Sequence, residues 1–520
     1  MREFSHALIK RIMGIPEHEL LSNLSTLKDS ELLYERGIYP QSNYIFKHAL
    51  TREVVYDSIL AKRKKKLHEE IGNAIEELYK DNLSEHYEVL AEHYFLSENY
   101  LKGAEYSRLA GKKAEKTASL NDAIIHSKKR VTSLERLPQA DDIQKQIIDA
   151  RTILGLYIAQ MHYFVEAKEA IDPIIDLAIR QDYKKRLCQI YTILGPYYCF
   201  VKENHPEGFK AFEEALKISG EVKDIITSVL ASAWFGNALG WNCDYEGALK
   251  CYQRALDINI AAKNLWGISV MKSNLALTGY YWAGKIDLGF QTTQEAVRIA
   301  EESGDIYSKA WAYTTHGGCC NGKGLLEEAE KHLVMGVEFC ERINFHSWGG
   351  VGRFNLGETY FEMGDFRRSK ANYEKGSWVW ENNRLFPSWT GLQKVGLARS
   401  KVMDKEKNVN LESLYTHSQN NKVKILEGWF QRYIGEILLN IDDQHIPEAE
   451  NWIQKAIEAD QRNRTMLNLG KDYALYAELL KRKGDRLKAQ ENLGKAIEIF
   501  KECGADGWVE KYEKELAALS

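Results

Sequence analysis

Proline is scarce in this sequence, at eight in 520 residues against an average usage of about 5%. That scarcity leaves most of the chain free to be helical, because little interrupts a helix as sharply as proline does. Sustained alternation of apolar and polar residues is also missing, which excludes any extensive sheet and leaves one short strand near residue 45. No apolar run reaches the roughly 20 residues of a membrane span, so no membrane association is expected. Charge of one sign is not in excess: the net charge is −4 and the pI about 6.4, which removes the bulk electrostatic argument for nucleic-acid binding. The eight cysteines (Cys188, Cys199, Cys243, Cys251, Cys319, Cys320, Cys340 and Cys503) fall at no metal-ligand spacing and read as reduced, buried thiols of a cytoplasmic protein. Nucleophile elbows, His-Glu-x-x-His pairs and convincing carboxylate pairs are absent too. No enzyme, cofactor or metal is therefore expected.

What the chain does have is a repeat. In "RFNLGETYFEMGDFRRSKANYEKG", Arg353 to Gly376, a Leu-Gly pair, a Gly-Asp turn and a small residue, Ser369, outline two helices joined by a tight turn. Equivalents of Ser369 recur as Ala167, Gly208, Ala248, Gly289, Ala329, Ser369, Ala449 and Ala489, with steps of 41, 40, 41, 40, 40, 80 and 40. The step of 80 places a degenerate unit near residue 409, and Met403 to Asn421 is its irregular joint. Small residues recur twelve positions before the anchor, as in Gly236, Gly317 and Gly357, and seven after it, as in Ala255, Ala296 and Gly376. They let two helix axes approach closely while bulky neighbours fill the grooves. A chain of 520 residues is too long for one core, and such pairs bury their faces only by stacking.

This spacing resembles the tetratricopeptide repeat (TPR), whose usual 34-residue unit is here lengthened to 40. The resemblance implies an all-α fold: a right-handed TPR superhelix of about ten helix pairs with a small N-terminal lead-in. Pro173 and Pro196 fall inside expected helices and are expected to kink them.

The first residues differ in kind. Arg2-Glu3-Phe4 and "FKHALTREVVYDSIL", Phe46 to Leu60, followed by a basic then acidic helix, resemble the winged-helix segment of bacterial adenylate/guanylate cyclase-linked AAA-ATPases of the signal-transduction class. In that family a long TPR array follows the winged helix, and a P-loop ATPase, often with a cyclase, precedes it. The resemblance places Met1 in the middle of a longer polypeptide, and the catalytic domains of such relatives are not in this chain. It also gives His48 the position of a phosphate-sensing histidine. The expected division is 1–60 partial winged-helix-like segment, 61–84 connecting helix, 85–140 irregular first repeats, 141–505 TPR array and 506–520 capping helix.

Several motifs resemble chemistry that the repeat explains away. "GGCCNGKG" sets Gly317, Gly322 and Lys323 at P-loop spacing, but Gly324 stands where Ser or Thr holds Mg²⁺, and no strand precedes it. His86 and His93 are too few ligands for a metal site. Lys62 to Lys66 is a basic cluster that a DNA-reading winged helix would use, but Lys65/Glu69 and Lys66/Glu70 pair at helical spacing.

In TPR arrays the first helix of each pair lines a concave groove. Transferring those positions gives Asn237, Trp241, Asn274, Thr278, Tyr281, Trp282, Trp311, Thr314, Asn321, Phe354 and Glu358 as a partner-binding groove. Asn side chains suit a peptide backbone, and Trp and Tyr are enriched in binding hot spots. Trp348, Trp389 and Trp429, also 41 and 40 apart, read instead as packing between repeats at helix starts. The function expected is a non-catalytic scaffold or sensor that binds a protein, peptide or small effector, as the regulatory arm of a signalling ATPase or cyclase. The alternatives are part of an ATP-dependent cyclase regulator whose catalytic domains are missing, or a winged-helix transcriptional regulator.

Overall fold

A computed structural model describes residues 3–117, 119–406 and 408–519. Met1, Arg2 of the Arg2-Glu3-Phe4 motif and Lys407 of the degenerate repeat lie outside the described residues. The chain divides into two compact units, one formed by residues up to Ile158 with Glu169–Arg180, the other by Ala159–Lys168 with the chain from Gln181 onward.

In the first unit, strands β1 (Glu3–Ser5), β2 (Leu33–Arg36) and β3 (Asn43–Phe46) form an antiparallel sheet in the order β1-β3-β2. Only the strand near residue 45 was expected. The other two, Glu-Phe-Ser and Leu-Tyr-Glu-Arg, lack the run of aromatic and β-branched residues that marks Asn43–Phe46. Helices His6–Met13 and Glu17–Asp29 accompany the sheet, whose core is Leu20, Leu24, Leu33 and Tyr44. Leu8 instead joins Ala74, Ile75, Leu90 and Tyr94 in a second core that includes helices Ala61–Leu78 and Tyr87–Leu96. Pro173 breaks the helical path as expected, occupying a 3-10 turn, Asp172–Ile174.

The second unit is an all-α TPR superhelix. From Lys184 to Cys503 its helices come in pairs such as Ile225–Trp241 with Tyr245–Ala261, Ile306–Lys323 with Leu326–Arg342, and His346–Glu362 with Phe366–Asn382. Each turn is written in the backbone. The residue two before seven of the second helices takes a left-handed conformation: His162, Glu203, Cys243, Gly284, Gly324, Gly364 and Gly484. Where an Asp follows, as at Asp244, Asp365 and Asp485, its carboxylate caps the helix by accepting a backbone N–H three residues on. The small positions do what their spacing implied: a Cβ on Gly357 would lie 2.8 Å from the Tyr373 ring, and one on Gly236 would lie 2.7 Å from Tyr252.

The two steps of 41 have a structural cause. Each contains an added residue, absorbed as a π-helical turn at Tyr197–Val201 and at Leu275–Tyr281. Pro196 ends the α-helix that leads into the first of these. The degenerate unit keeps its first helix, Pro387–Met403, but its second is reduced to nine residues, Leu411–Gln419.

Candidate functional site

The second unit winds so tightly that successive turns of the superhelix touch. His162 Nδ1 lies 2.9 Å from Ser347 Oγ, and the Phe386 N–H donates to the Phe200 carbonyl at 2.9 Å. The Glu203 carboxylate accepts from the Ser388 N–H at 2.8 Å and the Ser388 hydroxyl at 2.6 Å. Trp508, on the last helix (Asp506–Leu519), donates its Nε1–H to the Asn321 carbonyl at 3.1 Å. These partners are 185, 186, 185 and 187 residues apart, so one superhelical turn spans between four and five 40-residue repeats. The concave surface is therefore an enclosed chamber with its own inter-turn seam.

Sixteen residues line the chamber. Seven of the twelve tryptophans in the chain line it, Trp234, Trp241, Trp282, Trp348, Trp380, Trp389 and Trp429, together with Phe200, Phe354, Phe386, Tyr281 and His162. Its other residues are Leu277, Val351, Asn237 and Asn355; none is an acid, a lysine or an arginine. Both π-helical turns contribute, through Phe200 and through Leu277 and Tyr281.

Two tryptophan series meet there. Trp241 and Trp282, near the ends of their helical segments, face Trp389, at 6.0 and 6.1 Å between ring centroids. Phe354 stands edge-on to Trp389 and Trp429 at 5.6 and 5.3 Å. Phe386 packs on Trp241 at 5.2 Å and holds a left-handed φ of 49°, a strained conformation for a bulky residue.

Of the eleven expected groove residues, Asn237, Trp241, Tyr281, Trp282 and Phe354 line the chamber. The other six are internal packing. Thr278 is buried and donates to Asn237 Oδ1 at 3.2 Å. Asn274 donates back to the Val270 carbonyl, and Asn321 donates to Thr359 Oγ1 at 2.9 Å. Trp311 stacks 3.6 Å from Trp348, centroid to centroid, and Thr314 packs on Gly336. Glu358 accepts from the Tyr373 hydroxyl and pairs with Arg399 at 3.5 Å. They differ from the lining residues because a helix inside a tightly wound superhelix buries nearly all its faces, and the groove mapping assumed one open face.

Trp348, Trp389 and Trp429, read from sequence as inter-repeat packing, do sit at helix starts and also line the chamber. Their series extends back through Tyr307 to Trp266 at steps of 41. That five-member aromatic ladder was the available signal.

Behind Trp429 lies a buried set of charges. Arg399 bridges Glu358 and, at 2.6 Å, Glu436, with its guanidinium over the Phe361 ring. Arg432 pairs with Asp472 at 2.9 Å and lies 5.9 Å from the Trp429 ring. Burial, then the nearby Asp472 charge, holds the Asp460 carboxyl well above the usual range. Glu362, between Lys471 at 3.6 Å and Lys511 at 3.3 Å, titrates at about 2: burial pushes it up, but the two lysines and Arg399 outweigh that.

A tetratricopeptide-repeat family profile matches residues 352–376, within the stretch that first revealed the repeat. The fold is of the tetratricopeptide-repeat type. Among solved structures, it is similar to a Rap protein complexed with competence and sporulation factor, at 14% identity over 80% of this chain and 99% of that one, with a TM-score of 0.45. It is similar to the apo form of RapI, at 14% identity over 77% and 98% of the two chains, with a TM-score of 0.39. A signal transduction ATPase with numerous domains and a tetratricopeptide repeat sensor, from Pyrococcus horikoshii, matches at 13% identity over 98% of this chain and 63% of that chain, with a TM-score of 0.31. No curated protein matches the sequence.

The remaining candidates fall outside the chamber. His48 is exposed just before helix Ala49–Ser58 and makes no capping bond. Lys66 pairs with Glu70 as expected, whereas Lys65 reaches Glu98 at 2.6 Å. The P-loop-like stretch lies in helix Ile306–Lys323, where Lys323 is held by Asp287 and Asp506. His93 pairs with His68, Nδ1 to Nδ1 at 2.8 Å, and His86 stacks on Tyr79. Among the described residues no group of three or more metal-binding side chains forms, and no helix is long and apolar enough to cross a membrane. All eight cysteines are free, and burial pushes Cys188, Cys243 and Cys251 up to about 11.

Proposed function

We propose that this scaffold is a non-catalytic cytoplasmic sensor that captures a peptide segment or small effector in the aromatic chamber. In this reading it is the regulatory arm of a signalling ATPase or cyclase. The observation that carries the proposal is the chamber itself: seven tryptophans converging on one enclosed space is an unusual concentration of aromatic surface, and such surface supplies much of the energy of binding. The resemblance of the N-terminal segment to the winged helix of signalling ATPases supports the regulatory role. His48 would serve that segment as a phosphate contact only with an ATPase module beside it.

Capture becomes a signal if the occupant prefers one seam arrangement to the other, because a ligand shifts an equilibrium only by its differential affinity. The test is equilibrium binding to the chain with Trp241→Ala and Trp282→Ala combined. Ligand capture is expected to fall at least tenfold while far-ultraviolet circular dichroism stays unchanged. Full affinity in the double variant overturns the chamber as the binding site, and ATP turnover by the wild-type chain overturns the non-catalytic reading.

A further inference from the structure

The chamber's chemistry narrows its occupant, on the premise that the chamber is the binding site. Its aromatic walls invite two kinds of guest: an organic cation held by ring faces, or a neutral apolar body. Three observations separate them. No carboxylate lines the space to balance a cation. Behind the wall, the Arg432 guanidinium lies 5.9 Å from the Trp429 ring. Finally, the indole Nε1–H groups of Trp348, Trp389 and Trp429, which line the chamber and are more than nine-tenths buried, have no hydrogen-bond partner, and neither has that of Trp311, which lies against Trp348 outside the lining. By contrast, the Nε1–H of Trp380 donates to the Ser347 carbonyl at 2.9 Å.

A buried donor left unpaired is costly, and native proteins rarely leave several in one place. An ammonium group has no acceptor to offer them. We infer that the chamber takes a neutral ligand whose apolar body stacks on the tryptophan rings and whose carbonyl-type oxygens accept from the free indole N–H groups of Trp348, Trp389 and Trp429. Asn237 and Asn355, the only side-chain amides in the lining, add donors and acceptors to the same polar pattern. An uncharged amide or ester of small-molecule size has this chemistry, and so does the interior of an apolar peptide; ammonium groups do not fit.

The experiment is calorimetric titration of the full chain with four probes: N-acetylphenylalaninamide, the blocked tripeptide acetyl-Ala-Phe-Ala-amide, phenyltrimethylammonium and ethylbenzene. The two amides are expected to bind one to one, and their ratio tells a small molecule from a peptide source. Trp348→Phe and Trp389→Phe, which keep a ring and delete the donor, are each expected to weaken the amides about fivefold, the worth of one neutral hydrogen bond, and to leave ethylbenzene within twofold. Tighter binding of phenyltrimethylammonium than of the amides overturns the inference and leaves the chamber as a binding site. Binding of no probe, with tryptophan fluorescence unmoved, overturns both.

Discussion

Asp460 and Asp472 show how one buried cation serves two carboxylates unequally. Arg432 sits 2.9 Å from Asp472 but 3.9 Å from Asp460, whose other partner is the Thr465 hydroxyl. Both carboxyls are raised by burial. An acid raised on folding keeps its proton where the unfolded chain has lost it, so its stabilisation is present at low pH and is lost as pH rises above about 4. Asp460→Asn is therefore expected to be neutral or stabilising in urea denaturation at pH 8, whereas Asp472→Asn strands Arg432 and costs about 3–5 kcal/mol.

His162 works with the opposite sign: burial lowers it from 6.5 to about 3. Its stabilisation is full above pH 6.5 and falls as the unfolded chain takes up a proton that the folded one refuses. Between pH 7 and 5 this single group costs about 2 kcal/mol. The pH dependence measured for His162→Gln is expected to be shallower than that of the native chain by that amount.

At the scale of elements, the repeat is a rhythm of left-handed turn residues, buried small residues and Asp caps, and most of it is visible in the sequence. Ser369 and its equivalents located the second helices, and the small positions at Gly236 and Gly357 proved to be close helix contacts. The two flanking strands escaped notice because each carries a single aromatic and no run of β-forming residues. The π-helical turns were present as the two 41-residue steps, but an added residue can equally lengthen a loop, and spacing alone does not choose. The turns also give a clean test. Gly364 and Gly484 hold φ near 80°, and a Cβ at either would meet nothing within 4 Å. Ala at either position is therefore expected to cost about 1 kcal/mol by backbone strain alone, read from the shift in thermal midpoint.

At the scale of the second unit, the seam beside the chamber gives a test of whether it limits access. Glu203 is a useful handle because it occupies a left-handed turn position, φ 51°, that Gly fills in later repeats. Glu203→Gly keeps the turn and removes the bonds to Ser388. Helix content is expected to hold while acrylamide quenching of tryptophan fluorescence rises; unchanged quenching would show that the other seam contacts suffice to keep the chamber closed.

The helix pairs, their period and the faces they bury are legible in the chain alone, because they follow from neighbours within about 40 residues. Two aromatic ladders are legible there too. That Trp241 and Trp389, 148 residues apart, share one chamber is a property of the folded superhelix. Their meeting depends on its pitch, the sum of many small rotations between repeats. No single repeat encodes that sum, so five of the eleven expected groove residues reached the chamber and the other six became its supporting wall.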